Sequence, residues 1–395
     1  MEFSIPTNWQ EDFISGLSFC DEENEIKEVY GKLFLDDVGG GRVASGLPFV
    51  SKKAAERHIE QLKKNRYKFN YLLNAICLDN FEFTSIGQRK IARLLDWLTD
   101  IGVDSVTVSN PYLAMWVKRN YPFFTMSASA MANIDSVRKA RFWESLGVDK
   151  ITFPGPVVNR NFPLLKQLRG SVKCKIQLIA NNSCICNCPT YIGHALMSCH
   201  ASQKWHKSKG WIFDYYVAMC RLARLNDPFN FIRADWIRPE DVDFYSGLGV
   251  ESIKLVDRRL STDMLLKIVS AYQARAYRGN LADLFPVLQG KSFISHKDWF
   301  RKILYFRNIF TVNPFKIVKF SSLLSKIEVF IDNTKLDLFL KKLPQECDLT
   351  SCKECGYCKR VAMEVVSINT NYLENMLRNY QDIFDSIFGN RSGQK

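Results

Sequence analysis

The sequence predicts a (β/α)8 TIM-like barrel over residues 1–285, followed by a smaller α+β unit over 286–395 that carries a cysteine cluster. Three observations carry this expectation. Short β-rich runs alternate with helical patterns, as in a parallel sheet. The alternation fades after about residue 285, and the clustered cysteines fall in two groups, one in each part.

The strand candidates, in order, are Ile26 to Phe34, Phe69 to Leu73, Ser105 to Val108, Phe123 to Met126, Lys150 to Phe153, Lys175 to Ala180, Phe229 to Ala234 and Ser252 to Val256. Between them, Ser51 to Lys64, Ile86 to Ile101 and Ser136 to Leu146 place apolar residues at helical spacing. Eight such units closing on themselves is the economical arrangement. An open doubly wound sheet is the alternative, but Gly39-Gly40-Gly41 lacks the third spaced glycine of a GxGxxG phosphate turn. In the second unit, Lys326 to Ile331 reads as a strand and Tyr372 to Phe388 as an amphipathic terminal helix.

Barrels of this class place their chemistry at the C-terminal ends of the strands. The residues there are polar: Asn74, Ser109 and Asn110, Ser127 and Ser129, Asn181 and Asn182, Asp257 and Arg258. Small polar residues also cap turns and helices, so each has a purely structural reading beside the functional one.

With 47% hydrophobic residues in 395, the chain can bury a large core. The start, MEFSIPTNWQEDF, shows no secretory pattern, and no apolar run approaches the ~20 residues that span a bilayer. A cytoplasmic protein without a membrane partner is expected. The net charge of +13 would attract an anionic partner such as RNA, although the basic residues are dispersed as on an ordinary solvated surface.

Twelve cysteines in a reducing compartment point to metal ligation or catalysis rather than disulfides. Cys20, Cys77 and Cys174 are scattered and read as small apolar fillers. Cys184, Cys188, Cys199 and Cys220 supply four thiolates, the requirement of a [4Fe-4S] or [2Fe-2S] cluster, and Cys186 can replace one of them. Four thiolates also suit structural zinc. The spacing is not the CxxxCxxC of radical S-adenosylmethionine enzymes. Cys347, Cys352, Cys355 and Cys358 form a second set in ferredoxin-like CxxC steps, for a second cluster or zinc. No HExxH, GxSxG or Walker-type loop is present, and a Cys184/His194 nucleophile pair would leave the other clustered thiols without a role.

These residues resemble the peptidase U32 family, often labelled collagenase-like proteases. The resemblance rests on Val29-Tyr30-Gly31, Gly39-Gly40-Gly41-Arg42, Phe69-Asn70-Tyr71, Val106-Thr107-Val108-Ser109 and Asn159-Arg160-Asn161-Phe162. More specific are Asn182-Ser183-Cys184-x3-Cys188-Pro189 with His194, Trp236-Ile237-Arg238-Pro239-Glu240-Asp241 and Lys254-Leu255-Val256-Asp257-Arg258. The resemblance implies a four-cysteine [4Fe-4S] cluster and oxygen-independent hydroxylation of RNA or the ubiquinone ring, with a prephenate-like oxygen donor and a homologous partner subunit.

The expected activity is therefore a redox or hydroxylation reaction at the barrel mouth, with two clusters, the second passing electrons. Arg238 and Arg258, with Asp257 beside them, are the candidates for holding an anionic donor, because guanidinium pairs bidentately with carboxylates. The structural alternative is ion pairing with Glu240, Asp241 or Asp257. A non-catalytic RNA-binding or partner-binding scaffold with structural metal sites is the rival, and a peptidase the third reading.

Overall fold

The computed structural model describes residues 1–210, 213–290, 314–343, 347, 349 and 352–388. Eight parallel strands close into one barrel: β1 (Glu2–Pro6), β2 (Ile26–Gly31), β3 (Lys68–Leu73), β4 (Ser105–Val108), β5 (Thr125–Ala128), β6 (Lys150–Thr152), β7 (Lys175–Ile179) and β8 (Ser252–Lys254). Each pairs with its sequence neighbour, and β1 closes the ring by pairing Phe3 with Ile253 of β8. The expected barrel is present.

Two of its expected elements change places. Phe229 to Ala234 is not a strand: Phe229–Ile232 is a short helix, started by Pro228 and by the Asp227 side chain accepting from the Phe229 N–H. Because β7 pairs directly with β8, the ring has no slot for it. The eighth strand is instead β1, five residues at the start of the chain, whose alternation is too short to read alone.

The two-residue period of a strand sends alternate side chains inward and outward. Phe3, Val29, Phe69, Val106, Ile151, Ile176 and Ile253 face the helices as a continuous core. The opposite set is polar and bonds across the lumen. Glu28 accepts from Ser4 at 2.7 Å and pairs with Lys150 at 3.0 Å, while Thr152 donates to Gln177, which donates to Ser252, both at 2.8 Å. Burial would raise the Glu28 pKa, but the ammoniums of Lys150 and Lys254 outweigh it and hold it down to about 2. Of these lumen side chains, Thr152 lines a pocket together with Tyr30, Lys254 and residues of the mouth loops.

Beyond the barrel, β9 (Val329–Ile331) and β10 (Val366–Ile368) form an antiparallel pair, and the helix Thr370–Phe388 closes the chain. This unit shares the barrel's core. Trp236 lies 5.5 Å from Phe339 between ring centroids, and Arg221 donates to the Ser325 carbonyl. No helix among the described residues is long and apolar enough to cross a membrane.

Candidate active site at the barrel mouth

The loop after β7 carries the first thiols, and its backbone is held from several sides. Asn181 clamps the end of β8: its Oδ1 accepts from the Val256 N–H at 2.8 Å and its Nδ2 donates to the Val256 and Leu284 carbonyls. Arg224 donates to the Ser183 carbonyl, and the Cys184 N–H donates to Asp235 Oδ1 at 2.6 Å. Asp235 is buried, and burial pushes its pKa up to about 7 against the pull of that N–H and of Arg160 and Arg224.

Cys184, Cys188 and Cys220 line one pocket with His194, Tyr191 and Arg224. Burial, with Asp235, Cys220 and Cys188 nearby, holds the Cys184 thiol well above its usual pKa. Burial also raises Cys220, which lies on the helix Tyr215–Asn226, while Arg224 on the next turn pulls it back. His194 Nε2 is 3.3 Å from Asp214, the residue that caps this helix by accepting from the Val217 N–H.

Cys199, expected as a fourth ligand, is not in this pocket. On the helix Tyr191–Ala201 each residue turns about 100°, so Ser198 shares the His194 face and lines the pocket, whereas Cys199 is rotated off it. Its Sγ accepts from the Ile76 N–H at 3.3 Å, it is fully buried, and burial pushes its thiol up to about 12.

The two candidate arginines also separate. Arg238 pairs with Asp241 at 2.9 Å and reaches the Asn333 carbonyl; it is buried under the C-terminal unit and does not line the pocket. The expectation that it holds a donor is corrected: it is a structural ion pair. Arg258 does line the pocket, buried, with Nη1 unpartnered among the described residues. Asp257 is engaged by Arg42 and Arg259, which hold its carboxyl well below the usual range in spite of burial.

Arg42 and Lys254 also line this pocket. Arg42 arrives on the glycine-rich loop after β2, where a Cβ on Gly40 would meet Asn74 Oδ1 at 2.7 Å, so only glycine lets the loop lie this close. Lys254 ends β8 one inward position above Ser252, and its Nζ stands 3.9 Å from the Tyr30 ring centroid. Both were visible as parts of the Gly39 to Arg42 and Lys254 to Arg258 motifs, and in-phase alternation with Ser252 was the signal for Lys254.

The second cysteine group is distributed over a single helical turn, Cys352–Cys355, and the start of the helix Tyr357–Val365, with Gly356 at φ 56° between them. Cys347 and Cys352 are half-buried and Cys355 is exposed. Cys186 belongs on this side: its electrostatic neighbours are Arg233, Cys352, Arg160 and Cys347. The Leu349 carbonyl accepts from Asn187 at 3.1 Å and from Arg233 at 3.2 Å, docking this group on the mouth loop. Among the described residues no three His, Cys, Asp or Glu side chains stand as a ready-made metal-ion site. Cys184, Cys188 and Cys220 share one pocket and have the donor chemistry that suits a soft metal or cluster, whereas Cys199 lies outside that pocket.

A wider depression of about 600 Å³ lies at the opposite end of the barrel, among Met1, Glu25 and Glu251. Ion pairs stand at this end, Arg169 with Glu251 at 2.8 Å and Arg275 with Glu25 at 2.6 Å. At the mouth, among the described residues, the buried cations Arg258 and Lys254 have no ion-pair partner.

The molecule is thus a closed parallel β/α barrel whose mouth is lined by thiols and buried cations. Residues 49–204 match the profile of Peptidase family U32. An uncharacterized protease of Methanocaldococcus jannaschii is 27% identical over 367 residues, covering 90% of this chain and 97% of the relative. A solved U32 peptidase structure is 19% identical, covering 65% of this chain and 93% of its own with a TM-score of 0.48. A thiamine phosphate pyrophosphorylase from Pyrococcus furiosus is 10% identical, covering 69% and 93%, with a TM-score of 0.36.

Proposed function

We propose that this U32 protein is an iron-sulfur enzyme that carries out redox or oxygen-independent hydroxylation chemistry on a small anionic or aromatic group bound at the barrel mouth. The observation that carries this reading is the meeting of Cys184, Cys188 and Cys220 with unpaired Arg258 in one pocket. The mouth thiols would hold the cluster, which when bound would supply electron transfer or a Lewis-acidic iron. Arg258 and Arg42 would hold the anionic donor, and the second cysteine group would hold a second cluster or zinc. With about 170 Å³ of room, comparable to a cavity that takes benzene, the pocket suits a small molecule or a single projecting group, such as one base of an RNA.

The relatives' names speak of proteases, and His194 with Asp214 beside the thiols has the outline of a Cys-His-Asp set. The thiols argue against it. A nucleophilic cysteine needs a depressed pKa, whereas burial raises Cys184 and Cys220; ligation by a metal would deprotonate them outright.

The test is anaerobic purification with iron, sulfide and zinc quantification and a visible spectrum, on wild type and on a Cys184→Ala, Cys188→Ala variant. Roughly eight irons per chain, halved in the variant, supports two [4Fe-4S] clusters. Zinc without sulfide overturns the redox reading and favours a scaffold with structural metal sites, for which the charge of +13 would supply RNA binding.

A further inference from the structure

Lys254 is the polar side chain of the lumen's upper layer that the reading above leaves without a task. Its layer mates are satisfied: Tyr30 donates to the Leu255 carbonyl at 2.7 Å, and one layer below, Lys150 neutralises Glu28. Among the described residues Lys254 Nζ has no hydrogen-bond acceptor or ion-pair partner; what it has is the Tyr30 ring face. It is 8% exposed and lines the same pocket as Arg258, Arg42 and Tyr191. A buried ammonium facing further cations is costly, and the group escapes that cost by releasing its proton. Burial pushes its pKa down to about 7, against the pull of Glu28 and with Lys150 and Arg258 adding to the depression. An amine in that state is a nucleophile near neutral pH, where a surface lysine is almost wholly protonated.

The surroundings then define what it meets. Arg258 Nη1 is an unsatisfied donor in the same pocket, and the room is on the scale of a few heavy atoms. We infer that Lys254 is a covalent capture residue, whose amine forms an imine with a small carbonyl compound that carries an anionic group seated on Arg258. The nitrogen attacks the carbonyl carbon and the π pair moves to oxygen. That oxygen takes up the two protons the nitrogen sheds and leaves as water, while the C=N bond forms. No oxidant or reductant is needed. The inference rests on the reading that the mouth takes a small anionic ligand, but it does not depend on a metal.

The experiment uses the full chain, with pyruvate as the probe and acetone as its uncharged counterpart, each with cyanoborohydride to reduce the imine, followed by peptide mass mapping. The expected result is a pyruvate adduct on Lys254 enriched at least about tenfold over any other lysine. The acetone adduct should be weaker, and the pyruvate adduct should fall in Arg258→Met. Lys254→Met should lose the adduct with its circular dichroism unchanged, and mapping in wild type decides the matter even if that variant fails to fold. Pyruvate adducts spread over surface lysines, or none on Lys254, overturn the inference. Iron quantified on the same sample separates the two readings. An adduct on zinc-only protein keeps this inference and sinks the redox function, and iron with no adduct does the reverse.

Discussion

The barrel mouth and the C-terminal cysteine unit both concentrate thiols, but they hold them differently. At the mouth, Cys184 lies on a loop pinned by Asn181, Arg224 and Asp235, and Cys220 on a capped helix; these positions are set by the barrel. In the C-terminal unit, Cys352 and Cys355 sit on one turn of helix and Cys355 is exposed. Short segments of this kind are held by what they ligate more than by their own packing. The mouth thiols are therefore held in place by the fold, and the C-terminal thiols by a short local segment. Cys186, on the mouth loop but turned toward Cys347 and Cys352, is where the two meet.

The strongest way to break this contrast is to remove one group at a time. Cys184→Ala with Cys188→Ala should halve the iron and leave the C-terminal unit resistant to proteolysis. Cys352→Ala with Cys358→Ala should also halve the iron but expose that unit to cleavage. Equal proteolytic sensitivity in both variants would remove the distinction.

Next in size is the pair of arginines. Arg238→Ala leaves buried Asp241 without its partner and should lower stability by about 3–5 kcal/mol in denaturant titration. Arg258→Ala removes a buried cation that has no ion-pair partner among the described residues, so stability should hold or rise while retention of an anionic probe falls. The reverse pattern would exchange their roles.

A pH series sharpens the description of the mouth. Lys254 faces Glu28 of β2, Lys150 of β6 and Arg258, and its folded pKa is depressed to about 7. A depressed group contributes stability above its unfolded value, near 10.5, that is lost as the pH falls through 7. Lys254→Met should accordingly exceed wild type most below pH 7, by on the order of a few kcal/mol, with the advantage gone above about 10.5. A pH-independent difference would mean that the amine is not desolvated. The smallest effect is expected for Cys199→Ala: unchanged iron, and a stability loss of about 1 kcal/mol for one buried sulfur. Loss of iron in this variant would return Cys199 to the ligand set.

Much of this was readable beforehand. The helices Lys52–Lys64 and Ser85–Asp100 and seven of the eight strands follow from periodicity, because alternation and helical spacing are local properties. The terminal helix Thr370–Phe388 was legible for the same reason. Phe229 to Ala234 failed because its β-prone composition could not reveal that the ring was already complete. Cys199 failed because four cysteines in sequence order carry no statement about which side of a helix each occupies. Arg238 and Arg258 looked alike, each next to acidic residues, and only their neighbours in space distinguish a closed ion pair from an unmet donor.

The chain's own pattern of residues determined the barrel, the concentration of thiols in two places and the resemblance to family U32, since these depend on residue type and spacing along the chain. The tertiary structure alone decided that Cys184, Cys188 and Cys220 share a pocket without Cys199, and that Cys186 faces the other group. It also decided that Lys254 and Arg258 stand beneath the mouth without an ion-pair partner among the described residues. Those outcomes depend on long-range neighbours and burial, which set direction and charge state and have no signature in local sequence.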